Sequence, residues 1–139
     1  MISTVAVGTD GSETAAEAVR QAADIARHYG AKLKLLSAFP PPGGFVAYAG
    51  IELEWVSSSR AEVRKILERS QTALREDGIE CDTLSAEGEP ADVLVRLAEE
   101  CGADLLVIGN KGVRRRLPSS IPNNVARKAD CSVMVVKTT

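Results

Sequence analysis

The chain has one histidine, His28, and three cysteines, Cys81, Cys101 and Cys131, set far apart with no C-x-x-C pair. Zinc and iron–sulfur sites draw on clustered Cys and His, so this set offers no metal centre. The three thiols read as free and mostly buried, as in a reducing compartment. Aromatic residues are 4% of the chain, which leaves few platforms for a flavin and counts against an electron-transfer domain. No apolar run approaches the ~20 residues that span a bilayer. The opening Met1-Ile2-Ser3-Thr4-Val5 lacks the charged-then-apolar plan of a secretory leader. A net charge of −2 lacks the basic excess of a nucleic-acid or membrane binder. A cytoplasmic protein with neither of those partners is expected.

What is present is an ordinary globular composition: 139 residues, 45% apolar and 26% charged. That length fits one domain, residues 1–139, with one sizeable core. Short β-rich runs alternate with longer helical stretches. Thr4 to Val7 reads as a buried strand, followed by turn residues Gly8-Thr9-Asp10-Gly11-Ser12. From Glu13 to about Tyr29, Ala15, Val19, Ala22 and Ala26 recur at helical spacing, and Gly30 closes the helix. Lys32 to Ala38 is a second strand, and Phe39 to Gly50, with three consecutive prolines, a loop.

A second helix is predicted from about Glu52 to Asp77, with Val63, Ile66, Leu67 and Leu74 on one face. Gly78 precedes a third strand, Ile79 to Ala86. Pro90 sits in the first turn of the next helix, where a missing N–H costs little. Val93, Leu94, Leu97 and Ala98 form its apolar face. Asp104 to Ile108 is a continuous apolar strand, as expected of one covered on both faces. A short helix over about Ser120 to Ala129 and a last strand, Ser132 to Val136, complete the chain. Five strands alternating with helices, without hairpin signals, predict an α/β fold. Its sheet is parallel and doubly wound, Rossmann-like in order 3-2-1-4-5, with helices on both faces. Ligands in such sheets sit beyond the carboxyl ends of the strands, where the winding reverses.

Two segments there carry chemistry. In Val7-Gly8-Thr9-Asp10-Gly11-Ser12, the acidic residue can accept hydrogen bonds from ribose hydroxyls. It can equally cap the first helix, with Glu13 completing a capping box. In Gly109-Asn110-Lys111-Gly112, glycines let backbone amides approach phosphate oxygens, and the helix opened by Ser119-Ser120 favours an anion at its N-terminus. Lys111 and Arg114-Arg115-Arg116 add positive charge beside it. An ordinary tight turn with a solvated basic loop has the same composition. No G-x-x-x-x-G-K-[ST] occurs, so this is not a Walker A loop.

Together these segments resemble a family. The Val7–Ser12 segment, Ala103 to Gly109, Gly109 to Gly112, Ser120-Ile121-Pro122-Asn123-Asn124-Val125 and Ala129 to Val136 follow the order and spacing of universal stress proteins. The similarity covers essentially the whole chain and points to actinobacterial-type members. It implies a stress-response regulator of the ATP-binding branch, with the nucleotide across the ends of strands one and four. By that resemblance, Asp10 would hold ribose or phosphate, and Gly8 and Ala38 would line the adenine side. Ile108, Gly109 and Gly112 would shape the phosphate loop, and Ser119, Ser120 and Ile121 would offer donors to phosphates.

The implied cofactor is ATP, ADP, AMP or cyclic AMP, with magnesium accompanying a triphosphate. Two departures bear on it. Only Val113 to Pro118 separates Gly112 from Ser119, a shorter run than the family's, and Ser119 stands where the pattern has glycine. Both crowd the phosphate loop, and both shift the expectation from ATP towards AMP-like ligands. The alternative is a dimeric universal stress protein that holds no nucleotide and works through protein partners. Catalysis is not expected beyond weak ATP hydrolysis, because His28 lies inside the first helix, away from both loops. Trp55 and Tyr48 beside the long loop read as packing rather than base stacking. The resemblance also implies a homodimer through Ser132 to Val136, an apolar edge that needs cover.

Overall fold

The computed structural model describes residues 1–40, 59–110 and 120–137. Five strands are β1 (Thr4–Gly8), β2 (Lys32–Phe39), β3 (Asp82–Glu87), β4 (Leu105–Gly109) and β5 (Ser132–Val136). Four helices are α1 (Glu13–Tyr29), α2 (Arg60–Glu76), α3 (Pro90–Glu100) and α4 (Ser120–Lys128). All strand pairings are parallel, in the order β3-β2-β1-β4-β5. The first three strands step outward to one side of β1, and the chain then returns to β1's other edge. With right-handed crossovers, that reversal sends α3 and α4 to the face opposite α1 and α2.

The side-chain period of two divides the core accordingly. Val5, Val7, Leu33, Leu35 and Val107 face α1 and α2, whereas Ala6, Leu36, Leu106 and Ile108 face α3 and α4. Val5, Ala6 and Val7 are wholly buried, so β1 is covered on both sides. Fully burying a leucine such as Leu36 or Leu106 contributes about 1.5–3 kcal/mol. Alanines 15, 18, 22, 23 and 26 form much of the inner face of α1. Their short side chains let the helix axis lie close to the strands.

Several element boundaries differ from those read in the sequence, and three of the differences have a visible cause. The second helix starts at Arg60, not near Glu52, because Ser59 closes a capping box with Glu62; residues 52–58 lie outside the described part. Phe39 belongs to β2, where it pairs with Glu87 and is buried, so it does not open the loop. The third strand starts at Asp82 rather than Ile79. The Ile79 amide donates to the Leu74 carbonyl and the Gly78 amide to Arg75, which commits both residues to closing α2. Trp55 and Tyr48 also lie outside the described residues.

One side chain ties the N-terminal segment to the start of β4. Asp104 Oδ2 accepts the Ser3 and Thr4 amides at 2.8 and 3.0 Å. Those two donors hold the Asp104 carboxyl below the usual carboxylate range. A carboxyl so depressed stabilises the fold above its unfolded value of about 3.9, and that contribution is lost as pH falls through the folded value. Asp104→Ala should therefore lower the urea midpoint at pH 7. The gap to wild type should close as the pH is taken well below ~4. Equal midpoints at pH 7 would show that water serves those amides equally well.

Candidate functional site

Past the end of β1 the chain is held at each successive residue. The Thr9 amide continues the sheet by donating to the Leu36 carbonyl at 2.9 Å. Thr9 Oγ1 accepts the Gly11 amide at 3.2 Å, and Asp10 Oδ1 accepts the Ser12 amide at 2.9 Å. Ser12 Oγ accepts the Ala15 amide at 3.1 Å and shares a hydrogen bond with Thr14 Oγ1 at 3.0 Å. Ser12 is thus the N-cap of α1, with extended backbone angles. The reading of Asp10 as that cap, completed by Glu13, is corrected: Asp10 stands two residues too early and closes the turn instead. Among the described residues its second oxygen, Oδ2, has no hydrogen-bond partner.

This loop forms the polar side of a cleft at the carboxyl ends of β1, β2 and β4, where the winding reverses. Thr9, Asp10, Ser12, Thr14 and Ser37 supply hydroxyls and one carboxylate. Ala38, Leu94, Ile108 and Ile121, which pack in one apolar cluster, supply an apolar wall. An apolar wall with a few fixed polar groups suits a ligand with a flat apolar part and a polyhydroxyl part. Asp10 is the one charged residue among the described lining. Any positive charge for a phosphate comes from amides at helix ends or from residues beyond those described.

Of the residues singled out in the sequence, Gly8, Asp10, Ala38, Ile108, Gly109 and Ile121 line this cleft. Ser120 is the first residue of α4. Gly112 and Ser119, with Lys111 and the three arginines, lie outside the described residues. Thr9, inside the Val7–Ser12 segment, lines the cleft as well, and so do Thr14, Ser37, Pro90 and Leu94, which no site motif marks. In the sequence Leu94 marks only the apolar face of its helix, and the topology brings it to the border of the cleft. Ser37 carries no motif; its one sequence signal is a hydroxyl in an otherwise apolar strand. His28 sits in the last turn of α1, edge-to-face with Tyr29, far along the helix from Ser12.

The cysteines stand apart from the cleft. Cys81 is buried and Cys101 and Cys131 half-buried, all free, and burial pushes each thiol above its usual value. Among the described residues no group of three His, Cys, Asp or Glu side chains is placed to hold a metal ion. No described helix is long and apolar enough to cross a membrane.

Such a sheet, with its cleft at the switch point between β1 and β4, defines a doubly wound α/β protein. The comparisons with known proteins narrow that class. The family model for universal stress proteins matches residues 1–137. Universal stress protein Rv1636 of Mycobacterium tuberculosis is 38% identical over 142 aligned positions, covering 98% of this chain and 97% of that protein. The chain belongs to the universal stress protein family.

Among solved structures, a universal stress protein in complex with cAMP has a TM-score of 0.76 at 34% identity, with 99% of this chain and 98% of that chain covered. The Archaeoglobus fulgidus universal stress protein in complex with dAMP has a TM-score of 0.75 at 26% identity, covering 99% of this chain and all of that one.

Two glycines of the loop differ in what they tolerate. Gly11 has φ +84°, and an added Cβ would meet Ile66 at 3.1 Å. Gly8 is free of that backbone constraint, and its added Cβ would meet the flexible end of Leu94 at 3.0 Å. Gly11→Ala should cost about 1–2 kcal/mol of stability in urea unfolding. Gly8→Ala should cost less and act mainly by pushing Leu94 into the cleft. The reverse ranking would show that close packing, not backbone conformation, dominates here.

Proposed function

We propose that this universal stress protein binds an adenine nucleotide in the cleft at the ends of β1 and β4 and acts as a stress-response regulator rather than an enzyme. The observation that carries the reading is Asp10. One carboxylate oxygen secures the turn, and the other, without a partner among the described residues, is offered to a ribose hydroxyl at the polar side of the cleft. Ala38, Leu94 and Ile108 then face the base. The cAMP and dAMP complexes of related proteins support an adenine ligand carrying one phosphate. The shortened run between Gly112 and Ser119 favours such a ligand over ATP with magnesium, since it leaves less chain to wrap three phosphates. A cytoplasmic location fits this reading.

Asp10→Ala should weaken AMP binding by about 1.5–3 kcal/mol, roughly 10- to 150-fold, the range for a hydrogen bond to a charged group. Titration calorimetry on folded variant and wild type measures it. Equal affinities would reduce Asp10 to a turn residue. No affinity of the wild type for AMP, cAMP or ATP would remove the nucleotide reading.

A second element of the proposal is a homodimer through β5. Its outer edge has no strand beside it among the described residues, and Val135 is 44% exposed. An apolar strand edge of this kind invites pairing with a second copy. If that dimer holds no nucleotide, the alternative applies: a dimeric universal stress protein that acts through protein partners. Val135→Lys should shift the sedimentation of the protein from dimer to monomer at micromolar concentration. A wild type that already sediments as a monomer would overturn the dimer.

A further inference from the structure

Ser37 lies in β2, one strand away from the loop that carries Asp10, and is 3% exposed. Its Oγ donates to the Thr9 carbonyl at 2.8 Å. The last backbone rung between these strands, among the described residues, runs from the Thr9 amide to Leu36, so the Ser37 hydroxyl takes over where the ladder stops. The Thr9 carbonyl belongs to the same planar peptide unit as the Asp10 amide. A donor on that oxygen therefore fixes the orientation of the plane from which Asp10 departs. Thr9 is itself buried, at 8% exposure, so water does not readily replace the hydroxyl.

We infer that Ser37 is a positioning residue for the nucleotide site: its buried hydroxyl, through the Thr9 carbonyl, holds the Asp10 carboxylate at the angle needed to receive a ribose. The inference rests on the nucleotide reading and deepens it. Ser37 also belongs to the lining of the cleft, next to Ala38 in β2. Asp10 and Ser37 then form one unit, and removing Ser37 takes away part of what Asp10 provides to a ribose-bearing ligand.

The test is a double-mutant cycle read with AMP, with amide hydrogen exchange on the ligand-free protein as a second arm. Ser37→Ala should weaken AMP binding about fivefold or more in the wild-type background. In the Asp10→Ala background it should change affinity by no more than about twofold, because the residue it positions is gone. Exchange of the Gly11 and Ser12 amides, which bond to Thr9 Oγ1 and Asp10 Oδ1, should accelerate about tenfold while Val107 in β4 is unchanged.

The near-isosteric pair Ser37→Thr and Ser37→Val separates the hydroxyl from packing: threonine should keep AMP affinity and valine lose it. AMP affinity unchanged in Ser37→Ala overturns the inference, and so does an equal loss in both backgrounds. If the wild type does not bind AMP, the nucleotide reading fails and the exchange arm decides alone. Faster exchange at Gly11 and Ser12 then retains Ser37 as the anchor of the loop, and unchanged exchange removes that role too.

Discussion

Everything in this protein is arranged around the burial of β1. A strand covered on both faces and hydrogen-bonded along both edges has no exit except its ends, and Val5, Ala6 and Val7 meet that condition completely. Neighbours on each edge force the chain to reverse its winding there, and the reversal parts the helices beyond the carboxyl end. The cleft is the space left by that parting. Small residues serve the same constraint: alanines along α1 bring the helix down onto the sheet, and Gly8 lets Leu94 approach from the other side.

The fold was legible because its signals are local and repeated. Apolar five-residue strands, helical spacing of Ala15, Val19, Ala22 and Ala26, and Gly30 as a left-handed cap each announce themselves within a few residues. Boundaries were misread where a side chain or amide had two plausible uses. Ser59 looked like one more residue in a polar helix and is its cap, while Ile79 looked like a strand residue and closes a helix.

The site was legible in part, for a related reason. Asp10, Gly8 and Gly109 stand in a recognisable order at strand ends. Ser37 and Leu94 reach the cleft only through pairings between distant segments, and no spacing along the chain encodes those. The capping reading of Asp10 could be decided only by the hydrogen bonds themselves. Ser12 holds the cap position, and Asp10 commits one oxygen to the turn while the other has no partner among the described residues.

The loop from Thr9 to Ser12 is tied down before any ligand arrives. A freely moving backbone residue gives up roughly 1–2 kcal/mol when it is ordered, and here folding has already exacted that loss. A molecule entering the cleft meets a surface with little freedom left to surrender, so its association should show a modest entropic penalty from this half of the site. Selectivity is then geometric: a ligand whose hydroxyls miss the preset direction cannot recruit the loop to follow it.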